Sequence, residues 1–273
     1  MSMKKLPALL LASVLLAGCA TNPVTGRRQF IMVSESEAIA ASKQAYAAEL
    51  APLAKQGKVD NDPAMTRRVH AITSKLIAQA IKYRPETAKW EWSVKVIDDP
   101  QTVNAFCMAG GKMAIYSGLI TKLNVTDDEI ANVMGHEIGH ALSNHTAEKM
   151  SVAMASQLGA ALAGVAAGSQ YGGAVSSGAA VAATLAVQLP NSRTAESEAD
   201  RIGIELAAKA GYDPNAAVTL WEKMAKAGGG RQPEFLSTHP APETRIRDLQ
   251  TLAPQMMPYY LDKSPRPVYP LRS

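Results

Sequence analysis

The chain has 273 residues, 47% of them hydrophobic and 19% charged, with a mean hydropathy of −0.06. This ordinary globular composition excludes wholesale disorder and a polytopic membrane protein. The 28 basic and 24 acidic residues give +4, and removing Lys4 and Lys5 with the leader described next leaves 26 against 24, or +2. There is no dense Lys/Arg stripe and aromatic residues are only 5%, so nucleic acid is not an expected partner.

Residues 1–18 read as an address. A short positive start is followed by an apolar region of twelve residues, 6–17, too short to span about 30 Å of hydrocarbon. They end in Leu16-Ala17-Gly18-Cys19. This resembles a bacterial lipobox, in which Cys19 is lipidated and becomes the mature N-terminus. Ala20 follows, where aspartate would oppose export onward, so the resemblance implies an outer-membrane anchor facing the periplasm. The alternative is an ordinary cleaved signal peptide with an incidental cysteine. Residues 19–34 contain Asn22-Pro23 and Thr25-Gly26 and are expected to form a lipidated tether with a turn.

Ser34 with Glu37 predicts a capping box opening a helix to about Ala54, and Asp62-Pro63 opens a second to about Ile81. The period then changes. Residues 92–97, 103–108 and 112–116 read as three strands, with Gly110-Gly111 as the turn between the last two. They form a small sheet with an exposed edge. Cys107 lies in an apolar run and is expected to be a buried thiol, unpaired with Cys19. From Thr126 the chain is helical again. Residues 151–187 are rich in Ala, Gly and Ser and read as two helices joined near residues 168–173; a membrane hairpin is the sharper alternative, but neither half reaches about 20 strongly apolar residues. The domain is expected to end near residue 254, with a proline-rich tail over 255–273.

The chemistry centres on His136-Glu137-Ile138-Gly139-His140, an H-E-x-x-H pattern. At 3.6 residues per turn the two histidines lie about 40° apart on one helix face, which lets both imidazoles reach one Zn²⁺. Glu137 falls to the side, able to reach a water at the metal without ligating. Thr126 and Glu129 predict another capping box at the start of this helix. Gly135 and Gly139 share the face opposite the histidines, so another element is expected to pack closely there.

A third ligand is sought in the segment Arg193-Thr194-Ala195-Glu196-Ser197-Glu198-Ala199-Asp200. Ala195, Ala199, Ile202 and Leu206 align on one helical face, and Arg193, Glu196 and Asp200 share the adjacent flank. Glu196 is placed to ligate, and Asp200, one turn on, to accept a hydrogen bond from the far nitrogen of a ligating histidine. Arg193 is expected to support them, and Glu198 to be solvated. The bland alternative is a charged helix face. Two histidines and a glutamate leave a fourth position open for water, as in catalytic sites.

These residues resemble the zinc endopeptidases of the HtpX and CAAX-prenyl-protease family, and within it the periplasmic lipoprotein branch. His136-Glu137-Ile138-Gly139-His140 and Glu196-Ser197-Glu198-Ala199-Asp200 carry the resemblance. Three weaker signatures agree: Val103-Asn104-Ala105-Phe106 before Tyr116-Ser117-Gly118-Leu119, Gly211-Tyr212-Asp213-Pro214, and Ser237-Thr238-His239-Pro240. The resemblance covers about residues 21–250. It implies a mainly helical α+β, zincin-like metallopeptidase domain over residues 35–254, with one Zn²⁺ on His136, His140 and Glu196 and with Glu137 as general base. It places Asn104, Ala105 and Phe106 on an edge strand that receives substrate backbone; plain sheet core is the alternative. For His239 three roles stay open: donor to an oxyanion, zinc ligand holding the enzyme latent, or loop packing. His145 is expected to miss the metal. The family's repeat-bearing members continue into helical repeats, which are not expected here, and the membrane spans of others match an Ala/Gly-rich region in this sequence. The expected function is a lipid-anchored periplasmic endopeptidase acting on unfolded or misassembled envelope proteins. The alternatives are a chaperone-like or assembly lipoprotein that binds unfolded chains with little proteolysis, and a structural lipoprotein without metal.

Overall fold

The computed structural model describes residues 19–166, 191–227, 233–240 and 243–271. The leader and residues 167–190, which hold the second half of the Ala/Gly-rich stretch, lie outside the described residues. No helix among the described residues is long and apolar enough to cross a membrane.

The chain opens with a hairpin, β1 (Cys19–Thr21) against β2 (Arg28–Phe30). Helix α1 (Glu35–Lys55) starts at the expected capping box, Ser34 and Glu37 each bonding the other's backbone N–H. Helix α2 (Pro63–Tyr83) starts at Asp62, whose carboxylate accepts from the backbone of Ala64 and Met65 at 2.9 and 3.0 Å. Three strands follow: β3 (Ser93–Ile97), β4 (Ala105–Met108) and β5 (Lys112–Tyr116). Strand β5 lies in the middle, parallel to β3 and antiparallel to β4. Gly110 and Gly111 take φ of +80° and +76° between β4 and β5, a conformation that costs glycine nothing.

The sheet is buried on both faces. Val94, Val96, Met113 and Ile115 belong to the main core with α2, while Ala114, Phe106 and Met108 pack under Ala38, Ala41 and Tyr46 of α1. Alternation along each strand thus feeds two cores. Among the described residues β4 pairs only with β5, so it is the edge strand, yet its side chains are all buried.

After α3 (Ser117–Lys122) comes α4 (Asp127–Leu142), capped by Thr126 and Glu129 as expected. Every residue from Glu129 to Leu142 is buried, so this is the central helix. Helix α5 (His145–Ala166) follows, then α6 (Arg193–Lys209), α7 (Asn215–Ala227), the short α8 (Glu234–Thr238) and α9 (Glu243–Leu261). Helix α6 crosses α4 at backbone contact. A Cβ added to Gly135 would sit 2.7 Å from the Gly203 carbonyl oxygen, one on Gly139 3.0 Å from that of Ala199, and one on Gly203 2.5 Å from the His136 nitrogen. The close partner inferred from the two α4 glycines is therefore α6.

Two expectations are corrected. The proline-rich tail expected over 255–273 is helical at its start, since α9 runs on through Pro254 and Pro258 to Leu261. Its buried residues Arg245, Leu249 and Ala253 recur every four positions, and this packing overrides the helix-breaking tendency of proline. Beyond it the chain crosses α2, where the Tyr269 nitrogen donates to the Ser74 oxygen at 3.0 Å. Residues 19–34, expected to be a tether, are docked. Asn22 and Gln29 are buried and both donate to the Ser143 carbonyl at the end of α4, at 3.0 and 2.9 Å. Turn-forming residues look alike in sequence whether a turn is free or spends its polar groups capping a helix.

Gly203→Ala tests the crossing. Alanine is better than glycine in a helix by about 1 kcal/mol, but here an overpacking cost of about 1–3 kcal/mol is expected to win, for a net loss of up to about 2 kcal/mol in urea unfolding. A net gain would mean that the helices have room to spare.

Candidate metal centre

Four elements meet at one point. Helix α4 supplies His136, Glu137 and His140, and α6 supplies Glu196 and Asp200. His239 is the C-cap residue of α8, and α9 supplies Arg245. One ligand atom from each of His136, His140, Glu196 and His239 lies within 4.8 Å of the others, and all four residues are buried. Four of the separations are close to 3 Å. His136 Nε2 is 3.1 Å from His140 Nε2 and 3.2 Å from His239 Nδ1. Glu196 Oε1 is 3.0 Å from His239 Nδ1 and 3.3 Å from His140 Nε2. Bonds of about 2.0–2.1 Å to a tetrahedral zinc put its ligand atoms about 3.3 Å apart, so the donors already stand at the spacing the ion requires.

The hydrogen bonds behind the cluster aim its donors. His136 Nδ1 donates to Asp200 Oδ1 at 2.9 Å, which leaves the Nε2 lone pair facing inward. Burial pushes His140 well below its ordinary pKa, against the pull of Glu196, so its imidazole is neutral, the ligating form. Burial would raise Glu196, but His239 and His140 outweigh it and keep the carboxyl ionised. Converging lone pairs and a carboxylate make a donor set that suits Zn²⁺. Glu137 stands beside them, also buried. Its Oε1 makes no hydrogen bond among the described residues and lies 3.4 Å from His239 Nε2. Burial raises its pKa, partly opposed by His239 and His136.

Among the expected site residues, His136, Glu137, His140, Glu196, Asp200 and His239 are brought together. Phe106 reaches the cavity beside Glu137 and His140, whereas Ala105 belongs to the main core and Asn104 spends its side chain on the Ala105 nitrogen at 2.9 Å. Arg193 is not at the centre: it is the exposed first residue of α6. It shares their helical flank, but at the very start of the helix that flank has reached the surface. The cation there is Arg245. It meets Asp200 through Nε at 2.7 Å and Nη2 at 2.5 Å, meets Glu196 Oε2 through Nη1 at 2.5 Å, and lies over the Trp221 ring at 3.9 Å. Sequence reasoning missed it. The available signal was an arginine in register with Leu249 and Ala253 on an apolar helix stripe.

Glu198 is likewise not solvated. It accepts from Thr25 Oγ1 at 2.7 Å, Arg27 Nε at 3.0 Å and His145 Nε2 at 2.9 Å. Burial would raise its pKa, but His145, Arg27 and Thr25 hold it at about 2. His145 stays outside the cluster, as expected, but touches the far nitrogen of His140 at 2.8 Å. Lys149 of α5 borders the same cavity; burial brings its ammonium down to about 8 against the pull of Glu137 and Glu196. Cys107 is buried and free.

Replacing Arg245 with Met leaves Glu196 and Asp200 buried without their cation. The expected cost is about 3–5 kcal/mol in urea unfolding of the metal-free protein, against less than about 0.5 kcal/mol for Arg193→Met. Equal effects would reject this assignment of the two arginines.

Comparison with known proteins agrees with this geometry. The model of "Peptidase family M48" matches residues 63–253. The mitochondrial metalloendopeptidase OMA1 of Arabidopsis thaliana is 39% identical over 156 residues, 57% of this chain and 30% of that protein. The OMA1 metalloendopeptidase of Bos taurus is 33% identical over 246 residues, 86% of this chain and 46% of that protein. The beta-barrel assembly-enhancing protease of Escherichia coli K12 is 31% identical over 213 residues, 75% of this chain and 42% of that protein. The chain thus spans less than half the length of these curated relatives. With a family match running from the start of α2 into α9 and enclosing the whole cluster, the chain belongs to peptidase family M48.

Proposed function

We propose that this protein is a zinc-dependent endopeptidase. One observation carries the reading: His136, His140 and Glu196, from two crossing helices, converge at ligand spacing with the buried, hydrogen-bond-poor carboxylate of Glu137 beside them. The zinc held there would supply Lewis acidity, lowering the pKa of a water towards ~7 and polarising a carbonyl. Glu137 takes a proton from the attacking water and delivers it to the leaving amine, a task suited to a carboxyl raised by burial. Asp200 holds His136 in the tautomer that faces the metal. The outer edge of β4, with Phe106 reaching the cavity, offers a place for a substrate strand to pair through its backbone.

Of the three roles open to His239, its position favours the ligand. In this conformation its Nδ1 stands among the ligand atoms and would take a fourth position on the ion. A site closed by four protein donors has no room for the attacking water, so we read this as a resting state from which His239 must withdraw.

The setting we propose is the bacterial outer membrane, with the chain facing the periplasm through lipidated Cys19 and cleaving unfolded or misassembled envelope proteins. The Leu16-Ala17-Gly18-Cys19 ending supports it, as does the likeness to a protein named a beta-barrel assembly-enhancing protease. The closed fourth corner also favours a second reading, in which the protein binds unfolded chains and rarely cuts.

In a casein assay, Glu137→Gln is expected to lose about 10²–10⁴-fold in rate while keeping one zinc per chain, and a chelator is expected to abolish cleavage. Chelator-insensitive cleavage, or full activity in the variant, would reject the peptidase. If Glu137→Gln complements a deletion strain as well as wild type does, the binding reading replaces it. His239→Ala is expected to retain zinc and raise the basal rate several-fold; a fall in rate with zinc retained would assign His239 to the oxyanion.

A further inference from the structure

The two ligating histidines are oriented by different means. His136 has a carboxylate directly behind it, Asp200 at 2.9 Å. Behind His140 stands another histidine: His140 Nδ1 and His145 Nδ1 are 2.8 Å apart. Two imidazole nitrogens at that distance share one proton, and the pair alone does not decide which nitrogen carries it. The decision comes from the far side. His145 Nε2 lies 2.9 Å from Glu198 Oε2, and an ionised carboxylate only accepts. A neutral His145 therefore carries its proton on Nε2 and presents a lone pair at Nδ1. His140 must then carry its own proton on Nδ1, which leaves its Nε2 lone pair facing the cluster.

Glu198 is in turn held by the N-terminal hairpin. Thr25 Oγ1 donates to its Oε1 at 2.7 Å, and Arg27 Nε reaches both oxygens at 3.0 and 3.1 Å. The other arm of Arg27 grips Glu148 of α5 at 2.9 and 2.7 Å. Gln29 donates to Glu148 at 2.8 Å and to the Ser143 carbonyl at 2.9 Å, and Asn22 donates to that carbonyl at 3.0 Å. The hairpin thus clamps the end of α4, the start of α5 and the first turns of α6, the three places that carry His140, His145 and Glu198.

We propose that this hairpin, which begins at the cysteine expected to carry the lipid, is a working part of the metal centre. Arg27, Glu198 and His145 are positioning residues that fix the metal-facing nitrogen of His140. The inference rests on the reading of His140 as a zinc ligand. It predicts more than lost packing for Glu198→Gln. Arg27 demands an oxygen, so the amide of that variant turns its NH₂ towards His145. The proton order of the chain then reverses, and an N–H of His140 faces the cluster.

The test is zinc affinity of the full-length protein, measured by competition with a chromophoric chelator, beside the melting temperature of the metal-free form. Wild type is expected to bind one zinc and His140→Ala none. Glu198→Gln is expected to bind about 10–100-fold more weakly, the usual effect of removing a group that orients a metal ligand. Arg27→Met is expected to weaken binding as well, and the double variant to be no weaker than Glu198→Gln alone, because both act along one chain of bonds. A merely structural role would lower the metal-free melting temperature and leave zinc affinity unmoved. If Arg27→Met does not fold, Thr25→Val removes a single bond to Glu198 and is expected to weaken zinc several-fold. Zinc affinity in Glu198→Gln within twofold of wild type, or additive losses in the double variant, would overturn the proposal and leave the metal site standing. A wild-type protein that binds no zinc would overturn the metal reading itself.

Discussion

At the centre of the molecule two helix backbones touch. Gly135 and Gly139 of α4 lie against Gly203 and Ala199 of α6, with no room for a Cβ at Gly135 or Gly203 and only a tight fit at Gly139. Each glycine costs roughly 1 kcal/mol of helix propensity, and what it gives in return is distance. A wider crossing would hold Glu196 and Asp200 away from the imidazoles by the thickness of a side chain. The separations of 3.0–3.3 Å between Glu196 Oε1 and the nearest histidine nitrogens depend on that approach. The site is therefore set by backbone contact on one side of α4, and its chemistry appears on the neighbouring side.

That contact carries a concentration of buried charge that would be costly alone. Glu137, Glu196 and Asp200 are all buried, and Arg245 is the cation that meets two of them. Its guanidinium forks across both acids and stacks on Trp221, so one planar group ties α9 and α7 to the two crossing helices. A divalent ion among the four donors would complete the neutralisation. The arrangement is stiff because His136, His140 and Glu196 are each held twice, once by a helix and once by a polar contact behind the side chain. For His136 the second hold is Asp200. For His140 it runs through His145 and Glu198 to the hairpin.

The geometry also separates what is rigid from what has to move. His136, His140 and Glu196 sit within helices on the packed crossing. His239 sits at the end of a five-residue helix, held by stacking on Phe235 at 4.4 Å and by Asn191 at 3.2 Å. It stands outside the packed crossing of α4 and α6, a place that suits a group proposed to leave the cluster when substrate arrives.

Much of this was written in the chain. Caps at Ser34, Asp62 and Thr126, the strand alternation and the Gly110-Gly111 turn are local, and local stereochemistry decides them. The H-E-x-x-H spacing and the shared flank of Glu196 and Asp200 follow from the period of a helix, so they too could be read off. The paired glycines announced a close neighbour without saying which. What tertiary structure decided was partnership. Whether Arg193 or Arg245 faces the acids, whether Glu198 is solvated or buried against His145, whether residues 19–34 hang free or clamp the end of α4, and whether the chain just past residue 254 is a loose tail or a helix depend on segments far apart in sequence meeting in space. Residue type and period determine which face a side chain occupies. Only the packed fold determines what stands opposite that face.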